Sequence, residues 1–201
     1  MFMNEQMESI LATAARLIVE EGMEWGGAKR QALADLALPS RTPLPDNMQL
    51  EVAVRAHIDL FCPDTQVAAM CALLHAARDA MRTMAAHNPY LTGALWRGLA
   101  TEKSDIFIQL FCEDAKLAEI DLINQGVRFE TTEVNGFRGQ SVVALTTLVR
   151  ISNWTWPTGI HWVLYDVDDL RGALKPARGR RDGLADRGDL PAVERMLSAF
   201  E

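Results

Sequence analysis

The sequence predicts an α+β protein, with a helical N-terminal region over residues 1–88 followed by a mixed β-sheet domain with flanking helices over residues 89–201. Three observations carry this. Up to Asn88-Pro89 the apolar residues recur at helical spacing. At Ile106–Phe111 the pattern becomes strand-like, with Ile106, Ile108 and Leu110 alternating with Phe107, Gln109 and Phe111, apolar enough on both faces to be covered twice. Beyond Gly126, further β-rich runs are separated by turn residues.

Between Glu5 and Glu21, Met7, Ile10, Leu11, Ala14, Leu17 and Ile18 make a helical stripe, and Gly22 supplies a stop. A second helix is expected from Glu24 to Leu36, ending before Pro39, and the three prolines of Leu38–Pro45 make a loop. Asp46 followed by Gln49 reads as a capping pair for a helix to about Phe61. Cys62-Pro63 breaks it, and Asp64 opens a fourth helix through Ala86 with Val67, Met70, Cys71, Leu74, Arg78, Met81 and Met84 on one stripe.

After Phe111, Ala115–Gln125 reads as a helix with Leu117, Ile120, Leu122 and Ile123 turned inward. Val127–Val134, Ser141–Ile151 and Ile160–Tyr165 read as strands. Asp189 and Pro191 start a last helix through Phe200.

Composition narrows the function. A 201-residue chain is long enough for one large domain or two small ones, and 49% hydrophobic with 23% charged residues is ordinary for a globular fold. A net charge of −7 argues against broad nucleic-acid or acidic-membrane binding. Cys62, Cys71 and Cys112 are widely spaced, which fits reduced thiols and neither a disulfide frame nor a zinc site. The N-terminus has no basic segment leading an apolar run, and no stretch approaches the ~18 apolar residues of a membrane span. The expectation is a cytoplasmic protein.

The chemistry concentrates in Leu91–Phe111, LTGALWRGLATEKSDIFIQLF. Gly93 and Gly98 allow backbone to approach a ligand closely or to take positive φ. Asp105 stands next to Ser104 at the mouth of the strand, where a carboxylate facing a Gly-bearing turn suits a metal and a phosphate; the alternative is a simple turn cap. Arg97 beside the turn suits an oxyanion, or else a surface ion pair with Glu102.

Gly93-Ala94, Arg97-Gly98 and Ser104-Asp105-Ile106-Phe107 fall at spacings that resemble the signature of the polymerase-β-like nucleotidyltransferase superfamily. The resemblance covers about half of the chain and implies a nucleotidyltransferase-like sheet, a nucleoside triphosphate held near Gly93, Arg97, Gly98 and Ser104, and Mg²⁺ held by Asp105. Two positions depart from it: Ala94 replaces a phosphate-holding Ser, and Phe107 replaces the second metal-binding carboxylate. In a strand, residues i and i+2 share a face, so Asp-x-Asp presents two carboxylates together. A phenyl ring offers Mg²⁺ no ligand, and the two-metal clamp then needs another acid. For the third carboxylate of the signature the candidates are Glu130, first, then Glu133 and Asp166. Through its LPxRxxLPDN, SDIxIQLF and LRGALKP segments the chain also resembles, end to end, a family of proteobacterial proteins. Some of these carry the label UDP-N-acetylmuramate–alanine ligase, an activity that needs an ATP loop ending in Gly-Lys-Ser/Thr, which this chain lacks.

The remaining candidates favour plainer readings. Residues 171–188 hold six basic and two acidic side chains, a run that can clamp phosphate or RNA but more often is a solvated loop. His57, His75, His87 and His161 show no metal spacing, and His161 reads as a buried, hydrogen-bonded histidine. Trp154, Trp156 and Trp162 read as core rather than as a stacking platform. The expectation is therefore a protein that binds a nucleotide or small phosphorylated ligand with nucleotidyl transfer weakened or lost. The alternative is a non-catalytic regulator or partner-binding protein that keeps the fold without metals. A protein partner or homo-oligomer stays open, and nucleic acid is the least favoured partner.

Overall fold

The computed structural model describes residues 2–174 and 185–200; most of the basic run at 171–188 lies outside them. The described residues form eight α-helices and six strands: α1 (Phe2–Glu21), α2 (Trp25–Asp35), α3 (Asn47–Phe61), α4 (Gln66–Thr83), β1 (Pro89–Thr92), α5 (Gly93–Trp96), β2 (Ile106–Cys112), α6 (Ala115–Asn124), β3 (Glu130–Asn135), β4 (Ser141–Val149), β5 (Thr158–Asp166), α7 (Leu170–Ala173), β6 (Arg187–Gly188) and α8 (Leu190–Ser198). This is an α+β protein. The chain divides into two compact units, Met1–Val67 with Leu99–Ser104, and Ala68–Gly98 with Asp105–Glu201. Nearly all of α4, which the sequence pattern groups with the first 88 residues, is counted in the second unit.

In the first unit, α1 packs on α2 and α3. Its apolar stripe buries Ile10, Ala14, Leu17 and Ile18, while α3 buries Leu50, Val54 and Ile58 at i, i+4, i+8. The start of α3 has a local cause: the Asp46 carboxylate accepts the Gln49 N–H at 2.8 Å, and the Gln49 side chain accepts the Asp46 N–H at 3.0 Å. That reciprocal pair satisfies two of the donors that a helix N-terminus leaves open. Leu99–Ser104 joins this unit through Thr101, whose hydroxyl donates to the Val19 carbonyl.

In the second unit the strands lie in the order β3-β4-β5-β2-β1-β6. β2 and β5 run parallel, and the other neighbours are antiparallel. β2 sits inside the sheet and is covered on both faces. Ile106, Ile108 and Leu110 are fully buried on one, and Gln109 and Phe111 are buried on the other. A satellite cluster of Phe111, Val163, Tyr165 and Ala173 covers the C-terminal half of that second face, with Tyr90 edge-on to Phe111 at 5.6 Å.

Three expectations need correction. Trp156, read as core, is 66% exposed. α6 turns only Ala118 and Leu122 inward, whereas Leu117, Ile120 and Ile123 are half-exposed or more. An i, i+4 pair is enough for a helix making narrow contact with a sheet, so its other apolar residues face out. Arg187, placed by composition in a solvated run, is buried on an edge strand.

The capping pair predicts that Asp46→Ala lowers stability by about 1 kcal/mol, readable as a lower urea midpoint with unchanged m. A second expectation concerns Cys112, whose thiol burial, aided by the negative charge of Asp114, pushes up from 9.0 to about 11. The unfolded chain releases this proton first, so the native state loses stability as pH rises from about 9 through 11. Denaturant titrations across that range should show a flatter decline for Cys112→Ala.

Candidate functional site

A single row of residues crosses the sheet in register: Glu130 on β3, Thr146 on β4, His161 on β5, Phe107 on β2, Thr92 on β1 and Arg187 on β6. Partners in register share a face, so these six side chains stand on the face opposite Ile106, Ile108 and Trp162. Asp105, just before β2, closes the N-terminal end of the row.

Asp105 is tied to β5. Its Oδ1 accepts the Gly159 N–H at 2.7 Å, and its Oδ2 lies 3.1 Å from His161 Nε2. The other ring nitrogen, Nδ1, is 2.9 Å from the Thr146 hydroxyl. A carboxylate only accepts, so in the neutral ring Nε2 carries the proton toward Asp105 and Nδ1 accepts from Thr146. The result is a carboxylate–imidazole–hydroxyl chain across three strands. It needs glycine at 159: a β-carbon there would stand 2.9 Å from both the Asp105 carboxyl carbon and His161 Nε2.

Phe107 occupies the position at which an Asp-x-Asp pair would place its second carboxylate. Its ring stacks on His161, centroids 4.5 Å apart and planes 15° from parallel. Gly93, at φ +76°, opens α5 against the other side of that ring, since a β-carbon on it would lie 3.5 Å from Phe107 Cδ2. Phe107 thus fills the gap between the glycine turn and His161. The aromatic pair is worth about 0.5–1.5 kcal/mol beyond its buried area.

The other sequence candidates scatter. Arg97 pairs with Asp186 at 2.8 Å, not with Glu102. Gly98, at φ +71°, ends the short α5 turn. Ser104 belongs to the other unit, where its hydroxyl accepts the Thr101 N–H. Glu130 shares the face of Asp105 but stands three strands from Phe107, roughly 14 Å at the usual spacing of sheet strands. The structure therefore does not bring Glu130 and Asp105 together. Among the described residues no group of three or more His, Cys, Asp or Glu could hold a metal ion. The residues present do not fit a two-Mg²⁺ site, because Asp105 is already engaged by an N–H and an imidazole and its expected partner is a phenyl ring.

Reasoning from sequence missed Thr146 and the Asp105–His161 contact, which joins residues 56 apart. One signal was legible: Gln109 is a polar residue inside an apolar strand and had to find a buried partner, which is Arg187. A separate groove of about 870 Å³ opens toward α4, walled by Ala80, Val149, Ile160 and Trp162; of the site candidates only Glu130 borders it.

No protein-family model and no curated protein matches the chain. Among solved structures it is similar to the Cid1 poly(U) polymerase with MgGTP bound, at 15% identity and a TM-score of 0.31 over 45% of this chain and 30% of that one. It is likewise similar to Cid1 in complex with its short product ApU, at 17% identity and a TM-score of 0.32 over 53% and 32% of the two chains. A cytoplasmic RNA terminal U-transferase matches at 16% identity and a TM-score of 0.32 over 55% and 34%. The matched part spans about a third of those chains, so the functional reading stands on the site's own geometry.

If Gly159 is what lets the carboxylate and imidazole meet, Gly159→Ala should cost roughly 1–3 kcal/mol, the usual penalty for forcing atoms into filled space. Urea unfolding reads the loss, and nitrogen-15 shifts of His161 should show the Nε2–H tautomer of the wild type disturbed. A neutral substitution with unchanged shifts would contradict the contact.

Proposed function

We propose that this is a nucleotidyltransferase-like protein that binds a nucleotide or another phosphorylated ligand on the face carrying Gly93, Phe107 and His161, with nucleotidyl transfer weak or lost. The observation that carries the reading is the substitution of chemistry at the strand mouth. Where metal-dependent transfer needs converging oxygen ligands, Asp105 is held by Gly159 and His161, and Phe107 stacks on the same imidazole. A two-metal mechanism requires ions about 3.5–4 Å apart between shared carboxylates. The resemblance of Gly93-Ala94, Arg97-Gly98 and Ser104-Asp105 to the nucleotidyltransferase signature supports a ligand at this end of the sheet. Asp105 then acts as a shaping and electrostatic group, and Glu130, three strands away, does not pair with it.

A second reading, a regulatory or partner-binding protein that keeps the fold without metals, draws on α6, where Leu117, Ile120 and Ile123 form an exposed apolar stripe at 52%, 48% and 62% exposure.

The test is a thermal-shift panel of nucleoside triphosphates with Mg²⁺, with Mn²⁺ and with EDTA. Ligand binding to the folded state raises Tm by mass action, about 2.7 kcal/mol of stabilisation at a hundredfold excess over Kd. The expected outcome is a shift that persists in EDTA, is lost in a Phe107→Ala/His161→Ala variant, and comes with no measurable transfer. A shift that needs Mg²⁺ together with turnover would restore a metal enzyme. No shift under any condition would favour the partner-binding reading, to be followed by capture through the α6 stripe.

A further inference from the structure

Arg187 ends the row at β6, and its surroundings are unusual for a cation. It is 9% exposed. Its Nη1 donates to the neutral amide oxygen of Gln109, and its guanidinium carbon lies 4.6 Å from the centre of the Phe137 ring. Its Nε is buried without a partner among the described residues.

Buried charges are normally paired with a counter-charge, because desolvating an ion without one is costly. Here the neighbouring carboxylates are committed elsewhere. Asp186 pairs with Arg97 at 2.8 Å, Asp169 pairs with Arg138, and Asp189 caps α8 by accepting the Ala192 N–H at 3.0 Å. No carboxylate among the described residues stands within ion-pair distance of Arg187, and burial holds its guanidinium below the ordinary arginine value. What remains is the Nε–Nη2 edge, of which the Nε–H is buried without a partner among the described residues. That edge is the fork that grips a phosphate with two hydrogen bonds.

We infer that Arg187 is the anion anchor of this face, its Nε–Nη2 edge taking a phosphate of the bound ligand. The inference rests on the proposed reading of the face as a phosphorylated-ligand site and names the residue that holds the charged end. Gln109 fixes the guanidinium plane from one side, and Phe137, 37% exposed on the β3–β4 turn, flanks it from the other. Arg97 does not serve this role, because its guanidinium is already bonded to Asp186.

The experiment compares wild type with Arg187→Met, which keeps an unbranched stem and removes the guanidinium and its charge. Calorimetric titration uses inorganic pyrophosphate, UTP and uridine as probes. Wild type is expected to bind UTP and pyrophosphate, and uridine at least tenfold more weakly. Arg187→Met should lose at least tenfold for both anions. UTP binding of equal strength in the two proteins overturns this inference and leaves the ligand reading standing; no binding of any probe by wild type overturns both. Should Arg187→Met fail to fold, phenylglyoxal labelling of wild type decides: pyrophosphate must protect Arg187, identified by peptide mass, and equal labelling with and without it refutes the anchor.

Discussion

The parallel pairing of β2 with β5 is the constraint on which the second unit depends. Seven residues of each strand are in register, from Ile106 with Ile160 to Cys112 with Asp166. A parallel pair cannot be closed by a tight turn, so the chain must leave β2, pass through α6 and the β3–β4 hairpin, and return as β5. The crossover is what puts β4 beside β5 and brings Thr146 opposite His161. It also makes β2 a strand covered on both faces, which explains why its sequence is almost continuously apolar and why the single polar interruption, Gln109, lies against a buried arginine.

The same pairing explains the chemistry at the strand mouth. Register brings Gly159 N–H and His161 next to the end of β2, so any acid at position 105 meets a donor and an imidazole there. A second carboxylate at position 107 would stand beside that imidazole too, and the three groups would form a polar cluster of high charge density that requires a metal or a proton to be stable. With Phe107 in that place the cluster is satisfied without an ion. One carboxylate takes one amide and one ring N–H, the opposite ring nitrogen takes a hydroxyl, and an aromatic face covers the imidazole. The glycine turn at Gly93 stays packed against Phe107 while the polar groups beside it are balanced internally.

What could be read from the chain divides by range. The capping box at Asp46 and Gln49, the Asp189 cap before Pro191, and the alternation of Ile106–Phe111 are local, and their physics is complete within a few residues. The α+β class followed from them. The inward face of α6 was misjudged because four large apolar residues in a ten-residue helix admit more than one stripe, and the side that meets the sheet is set by the sheet. The site was legible in part: Gly93, Asp105 and Phe107 stand at the strand mouth, but the partners of Asp105 come from β5, and no spacing rule links residues more than fifty apart. Arg187 was hidden by composition, because it closes a basic run whose average character is that of a solvated loop.

The two ends of the row are complementary in a way that composition cannot express. At the β5 side the groups of the row are paired: carboxylate with imidazole, imidazole with hydroxyl. At the β6 side a guanidinium is desolvated against a neutral amide and an aromatic ring, with its best hydrogen-bonding edge left over. A fold that had merely decayed would have no reason to keep a cation in that state, because an apolar residue of the same volume would be at least as stable. Retaining it is understandable if the missing negative charge arrives with a ligand.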